Sequence, residues 1–300
     1  MQEKAKKLSI FTYLIILSCL ILITVLVFRE FGIISYREFS NDILYQKDVD
    51  YKVEQENKNY VKKIKNEYGI TILYGESEVN FLKSVDANVQ YDENIVNNNL
   101  KLIDAALKKY PKDVFDIFKE EKYNLYVMLV SNFNDNNIAL ASKNTLNQYR
   151  IFLSNNPSFE KSFHHEFFHI LEYYMSNHQK YLYYSWNSYN PYEFRYEADI
   201  MKLDNNYVYD KSYNKEDENI YFVSKYSKVS EKEDRAEIFS ELMTLNNKIY
   251  YLEKGNKIRE KIDYLLNEIY ENITIDDFHF SIYLEPWLCT KSLHIQCCMV

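Results

Sequence analysis

The sequence predicts an α+β domain, on three observations. Short apolar runs crowd the first half of region 69–285, a helix carrying three histidines follows them, and the remainder is mainly helical in pattern. The first run, Ile70–Tyr74, reads as a strand. Residues 95–109 repeat Leu100, Ile103, Ala106 and Leu107 at helical spacing. Leu125–Val130 is a strong strand, and Asn137–Ser142 and Tyr149–Leu153 are two more. A helix is predicted over Ser158–Asn177, then an aromatic loop with Trp186, Asn190-Pro191, Phe194 and Tyr196. Tyr221–Ser224 reads as short and extended. Ser230 with Glu233 forms a capping box that starts a helix running through Met243. A last helix spans Asn256–Tyr270. The architecture expected is a small mixed sheet, a histidine-bearing helix and a C-terminal helical part.

The N-terminus predicts a membrane segment. Lys4, Lys6 and Lys7 precede an uncharged apolar run, Leu8–Phe28, long enough to cross a bilayer as a helix. The run ends Val25-Leu26-Val27-Phe28-Arg29 with no small-residue cleavage site, so it reads as an uncleaved signal anchor. The lysines place residues 1–7 in the cytoplasm and the rest outside. Secretion after cleavage of a long signal is the alternative. Residues 29–68 are charged and read as a stalk, 69–285 form the folded domain, and 286–300 are a tail of unclear role.

Composition narrows the classes. The net charge of −8, with no basic stripe beyond the first seven residues, argues against a nucleic-acid partner. A hydrophobic fraction of 47%, with 30 Tyr and 18 Phe, supplies a large core. Cys19, Cys289, Cys297 and Cys298 form neither a C-x-x-C pair nor a disulfide framework across the domain. Scarce Gly with abundant Lys, Asn, Ile and Tyr fits an AT-rich bacterial genome.

The chemistry is concentrated in His164-His165-Glu166-Phe167-Phe168-His169, which holds three of the 6 histidines. His165 and His169 lie one helical turn apart on one face and can grip one metal ion. Glu166 between them can act on a water that the metal activates. Phe163, Phe167, Ile170, Leu171 and Tyr174 share another face, which predicts an amphipathic helix with the histidines towards a cleft. His164 is expected to be exposed. A catalytic zinc needs a third protein ligand. No histidine follows at a short fixed distance, and His178 falls near the helix end, so a carboxylate is expected. Glu237 is the first candidate, sharing a helix face with Asp234 and Glu241, either of which could orient a ligand histidine. Glu197 is its rival.

The HExxH run, taken with Glu233-Asp234-Arg235-Ala236-Glu237-Ile238-Phe239-Ser240-Glu241, resembles the zincin metallopeptidases. Within them it resembles most the group of the anthrax lethal factor catalytic domain and bacterial zinc-binding metallopeptidases. Trp186-x-x-x-Asn190-Pro191-x-x-Phe194-x-Tyr196 is also similar to the latter, and the likeness covers about residues 70–250. The resemblance implies one Zn2+ per chain, Glu237 as third ligand, and an upstream tyrosine, matched by Tyr226, that stabilises the oxyanion. It implies a strand before the ligand helix that pairs with substrate backbone, for which Tyr149–Leu153 is the candidate. The expected protein is a membrane-anchored extracellular zinc metallopeptidase, an endopeptidase acting on peptides or proteins, with Glu166 as general base. The alternative is a catalytically inactive anchored binding domain of zincin fold.

Overall fold

The computed structural model describes residues 50–82, 85–120, 122–135, 137–144, 147–178, 183–192, 194–198, 221–244 and 257–273. The expected cytoplasmic segment, the membrane run 8–28, most of the stalk and the tail 286–300 lie outside these. No helix among the described residues is long and apolar enough to cross a membrane. The chain divides into two compact units, Met1–Gln55 and Glu56–Val300. Of the first, only residues 50–55 are described, and they are helical.

The second unit begins in a helix, α1 (residues 56–68). Its Ile64 and Tyr68 lie in the main core and its Asn57 is buried against Glu93 and Asn97. The folded domain therefore starts before the expected boundary at 69. Frequent charges make residues 56–68 read as stalk, but Tyr60, Val61, Ile64 and Tyr68 share one helical face and pack into the core. Gly69 ends α1 at φ +73°, and its N–H bonds the Lys65 carbonyl at 3.0 Å. A side chain there would strain the backbone and meet Lys119 Cε at 2.9 Å, so glycine suits this stop.

The sheet comprises β1 (Thr71–Leu73), β2 (Ala87–Val89), β3 (Asn124–Phe133), β4 (Ala139–Lys143) and β5 (Gln148–Ser154). β3 is its spine. β1 runs parallel to it through Thr71–Tyr126, and β2 antiparallel through Ala87–Phe133. On the other side β5 runs parallel to β3, and β4 pairs antiparallel with β5. The order β1-β3-β5-β4 overturns one expectation. Tyr149–Leu153 has a strand on each side, so its backbone groups are consumed and it cannot pair with a substrate. The edge belongs to β4.

Alternation sorts the side chains. Leu125, Val127, Leu129, Tyr149, Ile151 and Leu153 join the main core, while Met128, Val130 and Phe152 form a smaller cluster with Leu82 and Phe133. Burial on both faces explains why β3 reads as a near-continuous apolar run. The short helix α2 (Val79–Leu82) contributes Leu82 to that smaller cluster. The helical layer holds α3 (Glu93–Leu107), α4 (Asp113–Glu120), α5 (Phe159–His178), α6 (Glu231–Thr244) and α7 (Lys257–Asn272). Asp92 caps α3, accepting from the Asn94 and Ile95 N–H groups. α5 is central rather than amphipathic: His164, His165, Glu166, Phe163, Phe167 and Phe168 are all buried. Phe163 and Phe167 stack at 5.9 Å, and Phe168 meets Phe239 of α6 at 4.9 Å. Each buried phenylalanine contributes about 1.5–3 kcal/mol, which locks α5 against α6. Tyr221–Ser224 is not a strand but leads through bends into a single 3-10 turn, Tyr226–Lys228.

α6 is also pinned from behind. Asp234 and Lys261 of α7 are both fully buried and pair at 2.6 Å. The same carboxylate oxygen accepts from the Tyr196 hydroxyl at 2.8 Å and from Trp186 Nε1 at 3.1 Å, and Lys261 donates to the Tyr221 carbonyl at 2.8 Å. The pair is compensated by these donors and by the Phe222 ring 4.1 Å from the ammonium.

Glu78 is another buried acid, and it predicts a pH dependence. Its Oε1 accepts the Gln90 N–H at 2.9 Å, its Oε2 has no hydrogen-bond partner, and burial pushes the carboxyl up to about 8. The folded protein holds this proton after the unfolded chain has lost its own near 4.5. The folded state thus binds more protons between these values, and its stability falls as pH rises through that window. Glu78→Gln is expected to stabilise by about 3–4 kcal/mol at pH 8 and by under about 1 kcal/mol at pH 5. Urea melts at both pH values check it. An unchanged slope in the variant would assign the effect elsewhere.

Candidate metal centre

The helical period places His165 and His169 of α5 one turn apart with their rings converging. Their centroids are 4.9 Å apart and their Nε2 atoms 3.2 Å apart. α6 faces them with two glutamates, also one turn apart. Glu233 Oε2 lies 2.9 Å from His165 Nε2 and 3.4 Å from His169 Nε2. Glu237 Oε1 lies 3.0 Å from His165 Nδ1. His165 thus meets a carboxylate at each ring nitrogen. Burial opposes charge on this ring, but the bonds to Glu233 and Glu237 outweigh it and raise it to about 10. Burial alone would raise both glutamates. Bonds to His165 and His169 hold Glu233 well below the usual carboxylate range, and His165 with Lys161 holds Glu237 down to about 2.

His165, His169 and Glu233 are a group able to hold a metal ion. Two imidazoles and a carboxylate match the ligand set of catalytic zinc. Tetrahedral bonds of about 2.0–2.1 Å separate ligand atoms by roughly 3.3 Å. The three separations here, 2.9, 3.2 and 3.4 Å, bracket that value, so the donor set fits.

The other expected residues divide. Glu166 is buried beside the histidines and accepts the Ala141 N–H of β4; burial raises its carboxyl, against the pull of His165 and His169. Tyr226 brings its ring 5.9 Å from that of His165. Its phenol bonds Glu233, and burial first, then the charges of Glu233, Glu166 and Glu237, raise it, so it stays a neutral donor. A cavity of about 380 Å³ opens here, lined by Ile138, Ala139, Lys161, His165, Glu166, Tyr226 and Glu237 among others.

Three expectations fail. Asp234 faces away from the histidines into its pair with Lys261, because it lies about 100° round α6 from Glu233. Glu241 bonds Lys161 at 2.6 Å rather than a histidine. His164 is fully buried, not exposed, and its Nδ1 shares a 2.6 Å hydrogen bond with the Tyr110 hydroxyl. Glu197 is not part of the metal-competent group among the described residues. Glu233 was hidden by its position. The sequence reads it as a helix cap, and its N–H does meet Ser230 Oγ at 3.3 Å, yet its carboxylate turns to the histidines. Its spacing of one turn from Glu237 was the signal available.

No family profile matches this chain, and no curated protein matches it. Among solved structures it is similar to a "putative zinc-binding metallo-peptidase" from Bacteroides caccae, at 16% identity and a TM-score of 0.41, over 75% of this chain and 88% of that one. A likeness this slight leaves function to the residues themselves.

Proposed function

We propose that this chain is a zinc-dependent metallopeptidase, an endopeptidase cleaving peptides or proteins. One observation carries the reading: His165 Nε2, His169 Nε2 and a carboxylate oxygen of α6 converge at metal-ligand spacing, with Glu166 beside them. His165 and His169 hold the metal, and the Glu233–Glu237 pair supplies the third ligand and the group that orients His165. Glu233 stands nearer the shared vertex, so it takes the ligand position here, and Glu237 holds Nδ1. A zinc ion so bound would supply a Lewis acid for a water molecule and for the scissile carbonyl. Glu166 takes the proton from the attacking water and returns it to the leaving nitrogen. The outer edge of β4 takes substrate backbone as an added strand, passing over the cavity. Residues 8–28 anchor the chain with the catalytic domain outside the cell.

Tyr226 donates to the developing oxyanion. Tyr226→Phe is expected to lower kcat about 10²-fold and leave KM within a few fold. Steady-state kinetics check this; an unchanged kcat would remove Tyr226 from the reaction. The function itself is tested on the purified full chain by its metal content and by chelator-sensitive cleavage of a mixed peptide library. One zinc per chain with such cleavage supports the peptidase. Zinc without cleavage leaves an anchored binding domain, and a folded chain that takes up no zinc ends the reading.

A further inference from the structure

Lys161 lies one turn before His165 on the same face of α5 and lines the same cavity. Its ammonium donates to Glu237 Oε2 at 3.1 Å and to Glu241 Oε1 at 2.6 Å. Glu237 Oε1 remains for His165, and Ser224 also bonds this carboxylate. Glu241 Oε2 is buried without a hydrogen-bond partner. Two largely buried carboxylates one turn apart repel each other, and the lysine between them offsets that repulsion.

We infer that Lys161 is a positioning residue for the metal centre: by holding one oxygen of Glu237 it aims the other at His165, and so sets the direction of the metal-binding ring. This rests on the metal-site reading in which Glu233 is the ligand and Glu237 holds His165 Nδ1. Without the ammonium, repulsion from Glu241 turns Glu237 off His165 and the ring loses its orientation. Charge alone makes the opposite forecast, because deleting a cation near a dication tightens binding. The sign of the effect therefore separates positioning from simple electrostatics.

The test uses the full chain with cobalt(II) and zinc as probes. Dissociation constants come from chelator competition, coordination geometry from the cobalt visible spectrum, and stability from the melting temperature of the metal-free protein. Native, Lys161→Met, Lys161→Arg and His165→Ala chains are compared. Lys161→Met is expected to weaken binding of both metals about 10–100-fold and to alter the cobalt spectrum, with a lower metal-free melting temperature because the two carboxylates lose their shared cation. Lys161→Arg restores both, since a guanidinium spans the same two carboxylates. Unchanged or tighter binding with an unaltered spectrum in Lys161→Met overturns the inference. So does equal weakening in both lysine variants with a matching loss of metal-free stability, which marks a packing role. Native protein that binds metal no better than His165→Ala overturns the metal site itself, and this inference with it.

Discussion

Glu233→Ala is expected to release zinc from the purified chain, while Glu237→Ala retains it with weakened affinity. Structural zinc sites bind with roughly 10–16 kcal/mol; shared among four donors, one ligand is worth about 2.5–4 kcal/mol, or a hundredfold to a thousandfold. A group on the far nitrogen of a ligand histidine is worth about 10–100-fold. The two glutamates touch opposite nitrogens of one ring, so the two effects can be told apart. His165→Ala and His169→Ala set the scale of full ligand loss. Metal content and chelator competition on the four variants read the result. Should Glu237→Ala lose the metal and Glu233→Ala keep it, the two carboxylates exchange roles, in agreement with the sequence resemblance. Retention in both would require a third ligand outside α6, with Glu197 next to be examined.

The second large effect falls on turnover. Glu166→Gln is expected to keep the metal and lose at least about 10²–10⁴ in kcat. The substitution is isosteric, and an amide oxygen can still accept the Ala141 N–H that meets Glu166 from β4. What disappears is the capacity to take a proton. Burial holds this carboxyl above its ordinary range, nearer to what a base and subsequent acid needs at neutral pH. Metal analysis and cleavage of a responsive peptide are measured on the same preparation. Cleavage that survives with the metal in place would assign the base to another group.

Much of the centre was legible because helices impose fixed spacing. His165 and His169 four residues apart must share a face, and Glu237 and Glu233 must share theirs. What the pattern could not supply was rotation. Whether Asp234 or Glu233 looked at α5 depended on α7, whose Lys261 claims Asp234 from behind. His164 was misplaced for a related reason. A histidine beside a cleft motif looks solvated, but α5 lies inside the layer and the Tyr110 hydroxyl supplies the polar contact that burial requires. In the sheet, strand positions followed from β-branched and aromatic runs, but their order did not. β5 enters parallel beside β3, and β4, which precedes it in sequence, is left at the rim. The short helix α4 and strand β2 carry too few residues for periodicity to register.

The buried pair of Asp234 and Lys261 has a consequence for how this chain can diverge. Tyr196 and Tyr221 both close on it, one through its hydroxyl and the other through its carbonyl. Either member lost alone strands the other as a buried charge without its counter-ion, at a cost of about 3–5 kcal/mol. Replacing both by well-packed apolar residues is close to neutral. The two positions can therefore change only together, and relatives are expected to carry both charges or neither.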